Sequence, residues 1–393
     1  MTREIFLSAT PLGRRAAIVD DGKVSAFMIE SASRPSRVGD IHRGRVARVV
    51  PALSGGFVAL GEGVEDGWLE TAATLSAGQS VLVQIMSDAR GTKGPRLGLV
   101  PRDDERTKDV HDGEAAGGTA GAARRLWSAG GLLGRLVRAY LAPGVRLVID
   151  DRASFDEALT LAHKHNAQFA ACVDLADREP DLFDRHDIQG VLEAARDPVV
   201  EFNGGRLVIE SGEALTAIDI DVAGGPLGDV ARRAMIVAAR EIMRRNLGGL
   251  IVLDPPRLKS AKTRSALVET LSTSLEADRA IHRVFGVTAT GLLELTRQRI
   301  GESVAEALGE RVGLGQARPP ALEALGHDIL VAGRRAVRAG ARRVVISASP
   351  PLLALVEAAP GLGREGLARW LGRPVECRAE PHRARDNFEV GSV

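Results

Sequence analysis

Cysteine is almost missing from this chain: two residues in 393, Cys172 and Cys377, far apart and with no CxxC pair. That argues against a disulfide scaffold or a structural zinc site and makes the cytoplasm the expected compartment. Long apolar runs are missing too. With no stretch of about 18 consecutive apolar residues, no membrane span is expected. The opening, MTREIFLSAT, has neither the basic start nor the sustained apolar core of a signal peptide. A net charge of +1, from 52 basic and 51 acidic residues, excludes strong global attraction to nucleic acid, so any such binding must come from a local patch. Aromatic residues are only 3% of the chain. What remains is ordinary globular material, 45% hydrophobic and 26% charged, and the length suggests roughly two or three domains.

Residues 4–30 alternate apolar and polar with Asp21-Gly22 at a turn, which predicts a β-hairpin. Four or five short strands follow between residues 37 and 100, the pattern of a small five-stranded barrel. Residues 104–123 (DERTKDVHDGEAAGGTAGAA) are charged, then Gly/Ala-rich, and predict a flexible linker. Helical periodicity runs over Arg124 to Tyr140, with a strand at Val145 to Ile149 and a helix at Ser154 to His165. VVEF-NGG-RLVIE reads as a hairpin with Asn203-Gly204 at its turn, before the strand LTAIDI. A helix over Asp229 to Asn246 follows, so strand and helix alternate as in an α/β layer. After a Gly/Pro break at residues 313–320, the tail predicts helix, strand, helix, strand.

Two segments carry chemistry in their own right. In EALTAIDID, residues two apart share a strand face, so Asp219 and Asp221 point the same way, and the apolar strand Leu250 to Leu253 ends on Asp254. Carboxylates on half-buried strands ask for a positive charge between them, and a hard divalent cation such as Mg²⁺ is one answer. The alternative is that Asp221 and Asp254 open turns and Asp219 meets an arginine. The second segment, RPSRVGDIHRGRVAR, carries Arg34, Arg37, Arg43, Arg45 and Arg48 against Asp40, and leads to Phe57 and Trp68. Basic strands with interleaved rings suit a single nucleic-acid strand, cations meeting phosphates and rings stacking on bases. Equally, Phe57 and Trp68 could be barrel core and the arginines a solvated edge. His163 and His165 lie at i, i+2 on a helix, do not share a face, and read as surface residues.

EALTAIDID, NLGGLIVLD and GLLELTRQR, in this order and spacing, resemble the catalytic core of the bacterial ribonuclease E/G family. VGDIHRGRVARVVPALSGGFVALG with EDGWLE resembles that family's S1 domain, RGTKG its closing loop, and the last 75 residues its small domain. The resemblance implies a mixed α+β and α/β multidomain chain: an RNase H-like subdomain (1–36 and 124–197), an inserted S1-type OB-fold barrel (37–103), the linker (104–123), a DNase I-like catalytic subdomain (198–312) and a small C-terminal α/β domain (318–393). It further implies a Mg²⁺-dependent endoribonuclease that cleaves single-stranded RNA to 5′-phosphate and 3′-hydroxyl ends, in RNA processing or decay. Matched position by position, Asp219 and Asp254 fall on the family's metal carboxylates, Asp221 on a supporting Asn and Glu213 on a glutamate of the same strand. Arg297 and Arg299 fall on an RQR near the catalytic face; Phe57, Trp68 and Lys93, with Arg43 and Arg45 nearby, fall on the RNA grip.

The departures are informative. Asp221 stands for Asn, Arg257 stands where a second acid is usual three residues after Asp254, and RAMIV replaces an Asn-Leu-Glu run before NLGG. The cysteine pair of the family's zinc link is missing after RQR, so neither zinc nor a zinc-bridged tetramer is expected, and a homodimer stays open. The short linker stands where the family's 5′-end sensor would be, which implies indifference to the phosphorylation of the RNA 5′ end. The competing reading is an RNA-binding protein of the same fold with weakened or lost catalysis, acting on rRNA or in an RNA assembly.

Overall fold

The computed structural model describes residues 2–61, 63–101, 104, 106, 122–176, 181–258, 260–309 and 320–392. Most of the linker expected at 104–123 therefore lies outside the described residues. The chain divides into two compact units: Met1–Arg34 with Val137–Gln298 and Glu302–Val393, and Pro35–Leu136 with Arg299–Gly301.

In the first unit, the opening residues form three antiparallel strands rather than one hairpin: β1 (Arg3–Thr10), β2 (Gly13–Asp20) and β3 (Lys23–Ser31). The extra turn comes at Pro11-Leu12. Gly13 follows at φ 148°, where an added Cβ would lie 2.3 Å from the Glu30 carbonyl oxygen, so only glycine fits.

The second unit is a closed barrel. Its strands are β4 (Ile41–Val50), β5 (Gly55–Ala59), β6 (Gly67–Glu70), β7 (Ser80–Ser87) and β8 (Arg96–Leu99), in the order β5-β6-β8-β7-β4 with β5 pairing back to β4. Alternate residues (Val46, Val58, Leu69, Val83, Ile85, Leu97) fill its interior. A sixth strand, β9 (Arg124–Trp127), adds to β4, so the helical periodicity over Arg124 to Tyr140 misleads for its first four residues. Buried Asp40 fixes this strand, accepting from Arg125 at 3.2 Å and from the Ala129 amide at 2.6 Å. The helix α1 (Gly131–Tyr140) begins only after Ser128-Ala129-Gly130, and the division between the units falls within it.

Returning to the first unit, β10 (Arg146–Ile149) pairs parallel with β1, α2 (Arg152–His165) follows, β11 (Val173–Leu175) pairs parallel with β10, and α3 (Ile188–Ala194) closes the segment. A mixed six-stranded sheet comes next: β12 (Val199–Phe202), β13 (Gly205–Ser211), β14 (Leu215–Val222), β15 (Gly249–Asp254), β16 (His282–Val287) and β17 (Leu293–Arg297), in the order β12-β13-β14-β15-β17-β16. Helices α4 (Leu227–Arg244) and α5 (Ala261–Ser274) pack with Leu207, Ile218, Ile251, Leu253 and Leu295 on one face of it. The chain ends in α6 (Val304–Leu308), α7 (Leu322–Arg338), β18 (Val344–Ala348), α8 (Pro350–Glu357), α9 (Gly363–Leu371), β19 (Val375–Ala379) and β20 (Phe388–Ser392), with the three strands ordered β19-β18-β20. Among the described residues, no helix is long and apolar enough to cross a membrane.

One buried contact sets a pH dependence. His327 of α7 is 4% exposed and hydrogen-bonds the Thr10 hydroxyl through Nδ1 at 2.9 Å. Burial, reinforced by Arg15 and Arg334, holds the imidazole well below its ordinary range. The unfolded chain therefore takes up a proton that the folded chain refuses. Stability from this site is present above about pH 6.5 and falls below it, by up to about 1.4 kcal/mol per pH unit. Denaturant unfolding at pH 5 and 7.5 is expected to show a flatter profile for His327→Gln than for wild type. Equal profiles would contradict this account.

Candidate functional site

The sheet from β12 to β16 has one apolar face and one open face, and the open face carries the acids. In β14, Thr216, Ile218 and Ile220 are buried while Asp219 and Asp221 are exposed; in β15, Ile251 and Leu253 are buried and Asp254 is exposed. The two strands run parallel, joined by the crossover helix α4, so their carboxyl ends meet at one edge. Asp219 stands directly opposite Asp254. Neighbouring strands lie about 4.8 Å apart, so these acceptor-only groups are side by side with solvent in front of them.

Asp221 shares that face but is engaged. Arg206, its cross-strand partner on β13, donates through Nε to Oδ2 at 2.9 Å and forms an ion pair with Nη2 at 2.9 Å from the same oxygen. The bond and the charge of Asp221 raise the Arg206 pKa. The added negative charge at this position thus meets its own cation. Glu213, expected on the strand near the pair, sits instead in the turn before β14. Leu215 to Asp219 alone is four residues of strand, about 13 Å, and Gly212-Glu213-Ala214 is spent turning the hairpin beyond it, so Glu213 does not reach the pair. Among the described residues no group of three or more His, Cys, Asp or Glu could hold a metal ion. Two hard oxygen ligands remain, which fits Mg²⁺, an ion commonly held by one or two carboxylates with water or phosphate completing its shell.

Arg297 does not face solvent, which corrects its expected RNA-binding role. It is 5% exposed, pairs with Asp278 through Nε at 2.6 Å and Nη2 at 3.0 Å, and donates to Asn246 Oδ1 and the Leu247 carbonyl. The strand period decides this: Arg297 follows Leu293 and Leu295 on the apolar face. Arg297→Ala would take the guanidinium from the buried Asp278 side chain and leave it only the Ala280 amide at 3.0 Å and His282 Nδ1 at 3.9 Å, at a cost of about 3–5 kcal/mol in a denaturant melt. Lost RNA affinity with unchanged stability would reverse that assignment. Arg299 lies beyond the end of β17, half-buried, and groups with the barrel unit.

On the barrel, Phe57 and Trp68 alternate with buried Val58 and Leu69, so both rings are half-buried and lie on the outer surface rather than in the core. They are register partners on β5 and β6, edge to face at 5.2 Å between centroids. Arg48, opposite Phe57 on β4, holds its guanidinium 4.7 Å from the Phe57 centroid. Lys93 is exposed in the turn before β8. That turn closes tightly against Trp68: the Trp68 amide donates to the Pro95 carbonyl at 2.8 Å, and a Cβ on Gly94 would come within 2.0 Å of the Asp66 carbonyl oxygen. Arg45 is exposed and donates to the Gly78 carbonyl at 3.0 Å; Arg43 is half-buried.

The carboxylates paired on one open sheet face are those of EALTAIDID and NLGGLIVLD, and the rings with a cation beside them on the barrel are those that follow RPSRVGDIHRGRVAR. The sequence profile described as "Ribonuclease E/G family" matches residues 104–300, half of the chain. The chain belongs to the ribonuclease E/G family. It is similar along 99% of its length to Ribonuclease G of Escherichia coli (strain K12), 26% identical with 99% of that protein covered. Ribonuclease G of Haemophilus influenzae is 25% identical over 98% of this chain and 99% of that one. With Ribonuclease E of Escherichia coli the identity is 27% over 75% of this chain and 36% of that protein. The first of these alignments spans 499 positions against 393 residues here, so at least 106 of them (499 less 393) meet no residue of this chain. This member of the family is a shortened one.

Two residues of the site were not singled out from the sequence. Arg48 stood in the basic run, but nothing in that run showed which arginine would meet a ring. Arg206 is separated from Asp221 by the hairpin and becomes its partner only through register.

Proposed function

We propose that this chain is a Mg²⁺-dependent endoribonuclease that cuts single-stranded RNA to 5′-phosphate and 3′-hydroxyl ends, serving RNA processing or decay in the cytoplasm. Membership of the family makes it an endoribonuclease. The observation that most supports the metal-dependent reading is Asp219 directly opposite Asp254, the last residue of the adjacent parallel strand, both open to solvent. In this reading residues 198–312 act as the DNase I-like subdomain, β4–β8 as an S1-type OB-fold, and the β1–β3, β10 and β11 sheet as the RNase H-like part.

Asp219 and Asp254 would hold the ion. Bound there, Mg²⁺ would lower the pKa of a water and neutralise charge growing on the phosphoryl oxygens. The chain's own part is positional. Strand pairing fixes the two carboxylates before substrate arrives, so little ordering is left to be done. Arg206 keeps Asp221 occupied and offsets its charge, which would otherwise repel the phosphate. The rings of Phe57 and Trp68, with Arg48 and Lys93, would take bases and phosphates of an unpaired strand. The shortened length supports the absence of a 5′-end sensor, so the phosphorylation state of the 5′ end should not matter.

A second reading, an RNA-binding protein with weakened catalysis, draws on exposed Arg257 and on the ion pair that engages Asp221. Incubation of an unstructured RNA with the protein separates the two. Cleavage in Mg²⁺ that stops in EDTA and returns on adding Mg²⁺ supports the enzyme; binding with no cleavage in Mg²⁺ supports the alternative.

A further inference from the structure

On β16, at the far edge of the sheet that carries Asp219 and Asp254, Phe285 is 54% exposed, the only aromatic among the exposed large hydrophobic side chains of the described residues. Arg283 lies with its guanidinium 5.0 Å from the ring centroid. Both face the open side of the sheet. Arg283 is the register partner of exposed Thr296, itself opposite Leu250 on β15, whereas Val284 between them packs into the apolar core. The pairing breaks between Val284 and Gly286, and Gly286 has φ 108°. A bulge of this kind re-aims one side chain, and here that side chain is the phenyl ring.

An exposed ring backed by a guanidinium is the same device that the barrel presents with Phe57 and Arg48 at 4.7 Å. Its distance from the carboxylates suits a substrate strand. Gly286 is level with Glu294 and Val252, two residues before Asp254. Two strand spacings of about 4.8 Å and two residues of about 3.3 Å place the ring roughly 12 Å from Asp254. That is within a few nucleotides of a phosphate bound at the pair. Glu294 stands between ring and pair on the same face and disfavours a phosphate there, which leaves the π face of a base as the matching group.

We infer that Phe285, with Arg283 behind it, is a stacking shelf for one nucleobase of the single-stranded substrate, a few nucleotides from the bond that is cut. It is a positioning residue that keeps the strand in register with Asp219 and Asp254. This rests on the endoribonuclease reading above.

The test compares wild type, Phe285→Ala and Phe285→Trp on an RNA with one cleavage site, intact or with a single abasic nucleotide walked through the positions around it. Phe285→Ala should lower kcat/KM by about 5- to 150-fold, the effect of losing one base stack, and Phe285→Trp should restore it. At one position the abasic RNA should cost wild type the same factor and cost Phe285→Ala nothing more. Phe285→Ala within about twofold of wild type overturns the shelf, as do abasic losses that add fully to the substitution at every position. A shift from dimer to monomer in Phe285→Ala, measured by sedimentation, would also overturn it and assign the patch to a second copy of the chain. If wild type cuts no RNA, the endoribonuclease reading fails instead. Affinity of the intact RNA for the two proteins then decides the shelf separately: equal affinities overturn it, and a loss of about 5-fold or more in Phe285→Ala upholds base stacking.

Discussion

Asp254→Ala, and separately Asp219→Ala, are expected to abolish RNA cleavage in Mg²⁺, by at least about a thousandfold, or about 4 kcal/mol of transition-state stabilisation. Both side chains are exposed on the open sheet face, so their removal opens no cavity and should shift stability by no more than about 0.5 kcal/mol. The two substitutions act on one bound ion, so the double variant should be no worse than either single one. RNA affinity should survive in all three, since the barrel surface is untouched. Cleavage assays, melting and binding on the same preparations separate these effects. A cleaving Asp254→Ala protein would remove the metal pair from the mechanism. Arg206→Ala is the informative companion: it exposes the negative charge of Asp221 to the site and should slow cleavage without unfolding the sheet.

Phe57→Ala is expected to weaken binding of an unstructured RNA about 5- to 150-fold, the range for one lost base stack of roughly 1–3 kcal/mol. The structure separates this residue from its neighbour along the strand. Phe57 is half-buried on the outside of β5, whereas Val58 is completely buried in the barrel. Phe57→Ala should therefore lose affinity with little change in melting temperature, and Val58→Ala should lose stability first. Arg48→Ala should fall in the same class as Phe57→Ala, because the exposed guanidinium backs the ring and, in the proposed function, would meet phosphate. Binding by wild type should weaken steeply with salt, as expected when basic side chains release counterions from phosphates. A Phe57→Ala protein that melts early and binds normally once folded would assign the ring to structure alone.

The strands and helices that build the site could be read from residue order. LTAIDI and LIVLD alternate or run apolar over strand lengths, Asn203-Gly204 turns the hairpin, and the helix 227–244 repeats its apolar positions every three to four residues, so one face had to meet the sheet. Carboxylates at the ends of two such strands could be read as a pair because a strand has period two and a βαβ connection makes the strands parallel. Arg297 was placed near the catalytic face by the resemblance of its RQR, but it shares the parity of Leu293 and Leu295, which puts it on the apolar face. Residues 124–127 failed because a short strand held by Asp40, over 80 residues earlier in the chain, leaves no local signal in its own composition.

Acids sharing one strand face and a basic, ring-bearing barrel were legible in residue order because they depend on spacing and period along one segment, and the family was legible because its motifs resemble EALTAIDID, NLGGLIVLD and GLLELTRQR. Which acids stand together, which arginine backs Phe57, how Asp221 is neutralised and that Arg283 and Phe285 share a face with Asp254 were decided by register between strands far apart in the chain. A one-residue change of register turns every side chain to the other face, and only the packed sheet selects the register.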